Sequence, residues 1–202
     1  MKKVLSLLAV LLVGLLTITA ANKGAATRKI LDQAAQKVNL TKGASANFTI
    51  KGGSWGACSG TLAVKGKKFQ ATTPGAIIWY DGKTQWVYNK KSEEVNVSTP
   101  SAAQQQSMNP YTFLTLYKNG YNMSHSTSAS GYEVHLTRTG GNGIPELYVL
   151  VSKDYTIKQI RLKQNGKWIT ININSLKQAS FSDSKFKFSA KDYPKAELID
   201  LR

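Results

Sequence analysis

Side chains that catalyse reactions or bind metals are scarce in this chain of 202 residues. It has one cysteine, Cys58, two histidines, His125 and His135, and 11 scattered carboxylates. We find no nucleophile elbow, no phosphate-binding glycine loop and no metal-ligand spacing. Glu93 and Glu94 form the only adjacent acidic pair, and on a strand they would point to opposite faces, which is poor geometry for acid–base chemistry. The sequence therefore predicts a protein that is not an enzyme, with no metal and no cofactor.

The first residues predict export, and exported proteins commonly form disulfides. With a single cysteine, this chain cannot form an internal disulfide. Residues 1–3 are positively charged, and residues 4–18 form an uncharged run that is too short to span a membrane. Thr19-Ala20-Ala21 then offers a cleavage site. We predict a signal peptide over 1–21 and one periplasmic domain over 22–202, a soluble monomer or weak oligomer without a disulfide. No cysteine follows the apolar run, so a lipid anchor is not expected.

Acidic residues are outnumbered by 27 lysines and arginines, which gives a formal net charge of +16. In a cytoplasmic protein this excess would favour nucleic acid as the partner. The export signal and the spread of lysines over many predicted strands and turns argue against nucleic acid. We predict attraction to anionic lipid head groups or to an acidic partner, weakened by salt. A cationic surface that only maintains solubility is the alternative.

Short alternating segments separated by Gly, Asn, Asp and Lys predict a mainly antiparallel β protein. The tail from Phe181 to Arg202 is predicted to be an edge segment. So many short strands must curl into a barrel to cover their apolar face. The predicted strands are 45–51, 57–64, 68–73, 76–80, 85–89, 93–98, 121–127, 131–137, 146–151, 157–163 and 168–174.

Two helices are predicted, and one or both of them are expected to cross the mouth of this barrel. Thr27 is expected to cap a helix that runs to about Leu40. Asn109-Pro110 is expected to begin a second helix, which Gly120 ends. The apolar stripes of the two helices are Ile30, Leu31, Ala34 and Val38 in the first, and Phe113, Leu114 and Tyr117 in the second.

A hairpin is predicted where Asp81-Gly82 separates two aromatic strands. A two-residue type I′ turn needs φ > 0 at both central positions, and Asp-Gly meets this need easily. The hairpin also belongs to a longer ordered set of residues. In order these are Gly60-x-Leu62-x-Val64-Lys65, Phe69, Pro74, Tyr80-Asp81-Gly82-Lys83-Thr84-x-Trp86-x-Tyr88, Asn109-Pro110-x-x-Phe113-Leu114, Phe186-x-Phe188 and Ile199-Asp200.

This ordered set resembles the LolA family, the periplasmic carriers of outer-membrane lipoproteins, over nearly the whole mature chain. The resemblance implies an α+β fold, an incompletely closed antiparallel β-barrel covered by an N-terminal helix and a short mid-chain lid helix. It also implies acylated lipoproteins as cargo, an inner-membrane lipoprotein-releasing transporter as a partner, and an outer-membrane acceptor as a further candidate partner. The residues expected to line the acyl-chain cavity are Leu62, Val64, Phe69, Ile78, Trp86, Phe113, Leu114 and Tyr117.

One position departs from the family. The better-known members of the family carry an arginine after the Val-Lys pair, and that arginine is tied to cargo release. Here Gly66 stands in its place, so Lys65, Lys67 and Lys68 are the candidates for a cation that acts in release or contacts a head group. A lysine lacks the bidentate fork of arginine.

Two other functions stay open: a carrier or sensor of another amphiphile, such as a glycolipid or fatty acid, and an envelope interaction module with no ligand.

Overall fold

The computed structural model describes residues 24–38, 42–53, 56–101, 104–105, 112 and 115–202. The predicted signal peptide lies outside the described residues. So do Phe113 and Leu114 of the predicted lid helix, in which residue 112 is described as helical, as are residues 104–105 before its predicted start. A short 3-10 helix, Leu116–Lys118, is followed by Gly120 with φ of 75°, the left-handed conformation expected of a glycine that ends a helix.

One long helix, α1, covers residues 24–38. Its predicted apolar stripe is confirmed, because Ile30, Leu31, Ala34 and Val38 are all buried. The prediction that Thr27 caps this helix is wrong, since residues 24–26 are already helical. Thr27 is instead a buried residue of the helix, and its Oγ1 lies 2.8 Å from Nδ1 of His125.

Twelve strands form one sheet in the order β12-β6-β5-β4-β3-β2-β1-β11-β10-β9-β8-β7. Neighbouring strands are antiparallel, except for β12, which runs parallel to β6 at one edge. The other edge is β7, so the sheet stays open and the predicted incompletely closed barrel is confirmed. The strands are β1 Ala44–Gly52, β2 Ala57–Lys65, β3 Lys68–Thr72, β4 Ala76–Tyr80, β5 Gln85–Asn89, β6 Glu94–Ser98, β7 Tyr121–Thr127, β8 Gly131–Arg138, β9 Glu146–Ser152, β10 Ile157–Gln164, β11 Lys167–Gln178 and β12 Glu197–Asp200.

The inner face of the sheet is the face on which α1 packs. Ile30, Leu31 and Ala34 share a buried cluster with side chains of β8 to β11, and Val38 joins a second cluster with side chains of β1 to β4. The helix therefore connects the two halves of the inner face.

The C-terminal segment covers the outer face of β4 to β6, as aromatic contacts show. The ring of Tyr193 lies 5.5 Å from that of Trp79 and 4.8 Å from that of Tyr88, and Phe188 lies 5.7 Å from Trp79. Phe186 is fully buried. The tail thus ends in the edge strand that the sequence predicted, and it also buries an outer aromatic cluster.

The hairpin at Asp81-Gly82 forms with a different turn from the one predicted. Tyr80 pairs with Gln85, which leaves a loop of residues 81–84. Gly82 has φ of 101°, whereas Asp81 is not among the non-glycine residues with positive φ. The type I′ assignment is therefore wrong. The carboxylate of Asp81 accepts hydrogen bonds from the backbone N–H groups of Lys83 at 3.0 Å and Thr84 at 2.8 Å, an Asx-type turn.

Candidate functional site

The candidate site lies on the inner face of β1 to β4. Val64, Phe69 and Tyr80 stand side by side on three strands and are buried with Val38 and Ala44. A second row, Leu62, Ala71 and Ile78, follows the same register one step away. Together with Leu176 of β11, the second row packs against the first but remains half-buried. Four of the sequence-predicted residues, Leu62, Val64, Phe69 and Ile78, are thus brought together on one face.

Tyr80 fixes the buried row at the hairpin end. Its ring lies 5.6 Å from that of Phe69, and its hydroxyl donates a hydrogen bond to the carbonyl oxygen of Gly82 at 2.9 Å. Burial, and then the charge of Asp81, raises the pKa of the Tyr80 phenol. The group therefore stays neutral and suits an apolar site.

Trp86 does not belong to this face. It pairs with Trp79 across β4 and β5, whereas Ile78 pairs with Val87. Because neighbours along a strand point to opposite faces, Trp86 lies on the outer face and Val87 on the inner one. The prediction that Trp86 shares the inner face with Ile78 is wrong.

Tyr117 lies in the other half of the inner face. It is buried among the side chains of β8 to β10 and α1, and its hydroxyl donates a hydrogen bond to Oδ1 of Asp32 at 2.5 Å. Burial first, and then this bond, raises the pKa of the Tyr117 phenol well above its usual value. Its contact with Asp32 links α1 to the segment that precedes β7.

Gly60 sets the boundary between the two halves. It pairs with Phe48 on the inner face, and a Cβ at this position would lie 2.7 Å from Cζ of the Phe48 ring and 2.3 Å from the carbonyl oxygen of Thr72. Only glycine lets this ring lie directly over β2. The site therefore begins beside the Phe48 ring. No pattern of residue size or polarity in the sequence predicts this position of the ring.

The candidate release lysines have other contacts. Lys65 donates hydrogen bonds to the carbonyl oxygen of Phe181 at 2.9 Å and to Oδ1 of Asp183 at 3.2 Å, and Lys68 donates to Oδ2 of Asp183 at 2.6 Å. These bonds lower the pKa of Asp183, Lys68 having the larger effect. Lys65 and Lys68 thus attach the C-terminal segment to the β2–β3 hairpin. Lys67 is exposed at its tip.

Gly66 adopts φ of 56° in this hairpin. That is a left-handed conformation that residues with a Cβ adopt at a cost. An arginine at position 66 would therefore be strained in this turn.

Sequence reasoning missed several residues of these contacts. Ala71, Tyr80 and Leu176 belong to the site, and Asp32 and Asp183 anchor the elements around it. Ala71 and Tyr80 share the strand phase of Phe69 and Ile78, so the alternation itself carried a signal for them. Asp32 and Asp183 have partners that are 85 and 115 positions away. Nothing in the sequence around either aspartate predicts these hydrogen bonds.

The two histidines lie on opposite faces of the sheet, because His125 pairs with Val134 and His135 is the next residue along β8. No group of three side chains within the described ranges has the arrangement of a metal site. Among these same residues, no helix has both the length and the apolar character to cross a membrane.

Comparison with known proteins agrees with this architecture. Residues 17–166 match the family model described as outer membrane lipoprotein carrier protein LolA. No curated protein matches the sequence. An uncharacterised conserved protein from Thermus thermophilus has a similar fold, with a TM-score of 0.57 at 13% identity over 87% of this chain and 99% of that one.

Two further solved structures are similar at lower scores. The LolA superfamily protein NE2245 from Nitrosomonas europaea has a TM-score of 0.47 at 10% identity, over 80% of this chain and 97% of its own. LprF from Mycobacterium bovis has 0.43 at 8%, over 78% and 95%. The family model covers well over half of the chain, and the open sheet under α1 has the family's architecture. This chain is a member of the LolA family of outer membrane lipoprotein carrier proteins.

Proposed function

We propose that this protein is a periplasmic carrier that shields the acyl chains of lipoproteins against its inner face and moves them from the inner to the outer membrane. The observation that supports the proposal most strongly is the half-buried row of Leu62, Ala71 and Ile78 with Leu176, set beside a fully buried row. Aliphatic side chains that the protein's own core covers incompletely are suited to contact methylene groups.

The energetics favour an incomplete cover of this kind. A triacylated lipoprotein carries on the order of forty methylenes, each worth about 0.8 kcal/mol on burial, so it needs a shield in water. A carrier must also surrender its cargo. Contacts spread over many aliphatic groups give an affinity to which no single residue contributes much, and a mobile cover would control access to them.

The partners of this proposal are acylated lipoproteins, an inner-membrane transporter that releases them, and an acceptor at the outer membrane. A photo-crosslinking amino acid at four positions tests where the cargo lies. In periplasm that contains lipoprotein, positions 62 and 78 should crosslink to it, and the outer-face positions 61 and 86 should not. Crosslinks at Thr61 and Trp86 with none at Leu62 and Ile78 would refute the assignment of the inner face.

A second candidate is a carrier or sensor of another amphiphile. It is favoured by Gly66, which replaces the arginine tied to cargo release, and by the contacts that attach Lys65 and Lys68 to Asp183. Native mass spectrometry of protein purified from its own periplasm separates the candidates. Co-purified lipoprotein supports the first, a bound glycolipid or fatty acid supports the second, and an empty protein supports a ligand-free interaction module.

A further inference from the structure

A row of aromatic and cationic side chains crosses the outer face of β8 to β11. The register places His135, Tyr148 and Arg161 opposite one another on three neighbouring strands, and Trp168 of β11 lies diagonally beside Arg161. We call these four residues the outer ladder. They lie on the face opposite to the inner apolar residues, so a partner that docks here leaves the inner face accessible.

The rings of the outer ladder hold one another in place. The imidazole of His135 stacks on Tyr148 with ring centres 4.3 Å apart and an angle of 2° between the planes. The guanidinium carbon of Arg161 lies 5.4 Å from the ring centres of both Tyr148 and Trp168. Because two rings fix the guanidinium, little side-chain entropy remains to be lost when it binds an anion.

Within the described ranges, Arg161 donates no hydrogen bond and forms no ion pair. The carboxylate of Glu146, the nearest on β9, is engaged by His135 at 2.9 Å and by the hydroxyl of Tyr148 at 3.4 Å. A guanidinium that is fixed in position, and whose donors are not used by the described residues, is suited to bind phosphate or carboxylate oxygens.

Further cations flank the outer ladder. Lys163 pairs with Trp168, its Nζ lies 5.9 Å from the indole ring, and Lys51 on β1 pairs with Thr170. Glu133, near the start of β8, is the other carboxylate on this face. The surface is the open face of a sheet, and it combines indole, phenol and cationic groups. Those groups prefer the head-group layer of a membrane.

We propose that the outer ladder with Lys51 and Lys163 is a docking surface for an anionic phospholipid membrane. The outer face of the open sheet presents its cations to phosphate groups at the spacing of neighbouring strands. The formal net charge of +16, or +14 once Lys2 and Lys3 are removed with the predicted signal peptide, attracts the whole protein toward such a surface. The proposal is independent of the acyl-chain site, because it concerns the opposite face and the protein without cargo.

Vesicle co-sedimentation tests the proposal with the mature protein. Wild type should bind phosphatidylcholine vesicles that contain about 30% phosphatidylglycerol, should not bind pure phosphatidylcholine, and should dissociate as salt rises. The double variant Arg161→Gln, Lys163→Gln should lower the partition coefficient at least about 10-fold, since each cation near the surface contributes roughly fivefold. Arg161→Lys, which keeps the charge but lacks the planar fork held by the two rings, should retain only part of the binding.

The matched control is Lys191→Gln, Lys195→Gln, which removes the same charge from two exposed residues of the C-terminal segment. It should lower vesicle binding less than about threefold. Equal losses in the two double variants would show that net charge alone is responsible and would overturn the proposal. So would the absence of any preference for anionic vesicles, or binding to soluble polyglutamate that depends on Arg161 when vesicle binding does not. Circular dichroism confirms that each variant is folded.

Discussion

The two halves of the inner face are lined by the same kinds of side chain but are covered to different extents. In β8 to β10 the protein covers them fully: Val134, Leu147 and Val151 are 0% exposed. In β2 to β4 one row is buried in the same way, but the aliphatic row beside it, Leu62, Ala71 and Ile78, remains half-buried. Composition alone therefore does not separate an ordinary core from a binding surface.

The difference follows from the position of α1. Among the described residues of α1, three of the apolar stripe pack against β8 to β11, whereas Val38 alone packs against β1 to β4. Polar contacts also hold the helix to the covered half, from Thr27 to His125 and from Asp32 to Tyr117. The half formed by β1 to β4 is covered by α1 through one residue, so cargo could contact its half-buried side chains.

The strongest test of this comparison places a carboxylate in each half. Leu136→Glu, in a residue that is 1% exposed, should prevent folding, because an unpaired buried charge costs several kcal/mol against a typical total of about 5–15 kcal/mol. Ile78→Glu should fold, since its carboxylate can reach water, but should abolish binding of a fluorescent acyl probe. Circular dichroism and probe titration measure both. If Ile78→Glu also fails to fold, the half-buried row is ordinary core.

A smaller effect is expected at the boundary between the halves. Gly60→Ala should destabilise the protein by about 1–3 kcal/mol, because its Cβ would meet both the Phe48 ring and a backbone oxygen. The displaced ring should also weaken acyl-probe binding. Gly75→Ala is the matched control, since nothing lies within 4 Å of a Cβ there. Urea unfolding of the two variants gives the comparison, and similar midpoints would contradict the assigned role of Gly60.

The contact between α1 and the covered half should have a measurable but modest effect. Tyr117→Phe removes the hydroxyl that donates to Asp32, and we expect a loss of about 1 kcal/mol together with faster hydrogen exchange in residues 24–38. Tyr132→Phe is the control, because the Tyr132 hydroxyl makes no hydrogen bond with the described part of the chain. Equal exchange in both variants would show that α1 is held by its apolar stripe alone.

Most strands were predictable because their two faces differ in polarity. The bounds of β4, β5 and β7 agree with the sequence prediction. β11 was predicted to end at residue 174, where its alternation of isoleucines breaks. It continues to Gln178 because a bulge opposite Asn47 and Phe48 adds one residue, so Ile173 and Leu176 face the same side although they are three apart. A break in period 2 marked a bulge and not the end of a strand.

The phase of Trp86 was not predictable from its own strand. β4 reads Ala-Ile-Ile-Trp-Tyr and is apolar on both faces, so alternation there does not distinguish inside from outside. The outer face is apolar because Phe188 and Tyr193 cover it, more than a hundred residues later in the chain. The sequence shows that Phe188 and Tyr193 are close together near the C-terminus. It does not show that they pack against Trp79 and Tyr88. Contacts between distant segments were the part that the sequence did not yield.

The smallest effect concerns the attachment of that tail. Asp183 has a lowered pKa because Lys68 and Lys65 hydrogen-bond its carboxylate, so its contribution is present above the ordinary pKa of an aspartate and is lost as the pH falls through the lowered value. Below about pH 4 the segment around residues 181–187 should therefore exchange amide hydrogens faster. Asp183→Asn should produce this behaviour at neutral pH and reduce its dependence on acid, whereas Asp192→Asn, at an exposed carboxylate farther along the C-terminal segment, should not. Because the ion pairs are exposed to solvent, salt should weaken them, while the buried Phe186 and the ring contacts of Tyr193 should keep the rest of the tail in place. If acid instead released the whole tail together with β12, the aromatic contacts would depend on Asp183 and the tail would unfold as one unit.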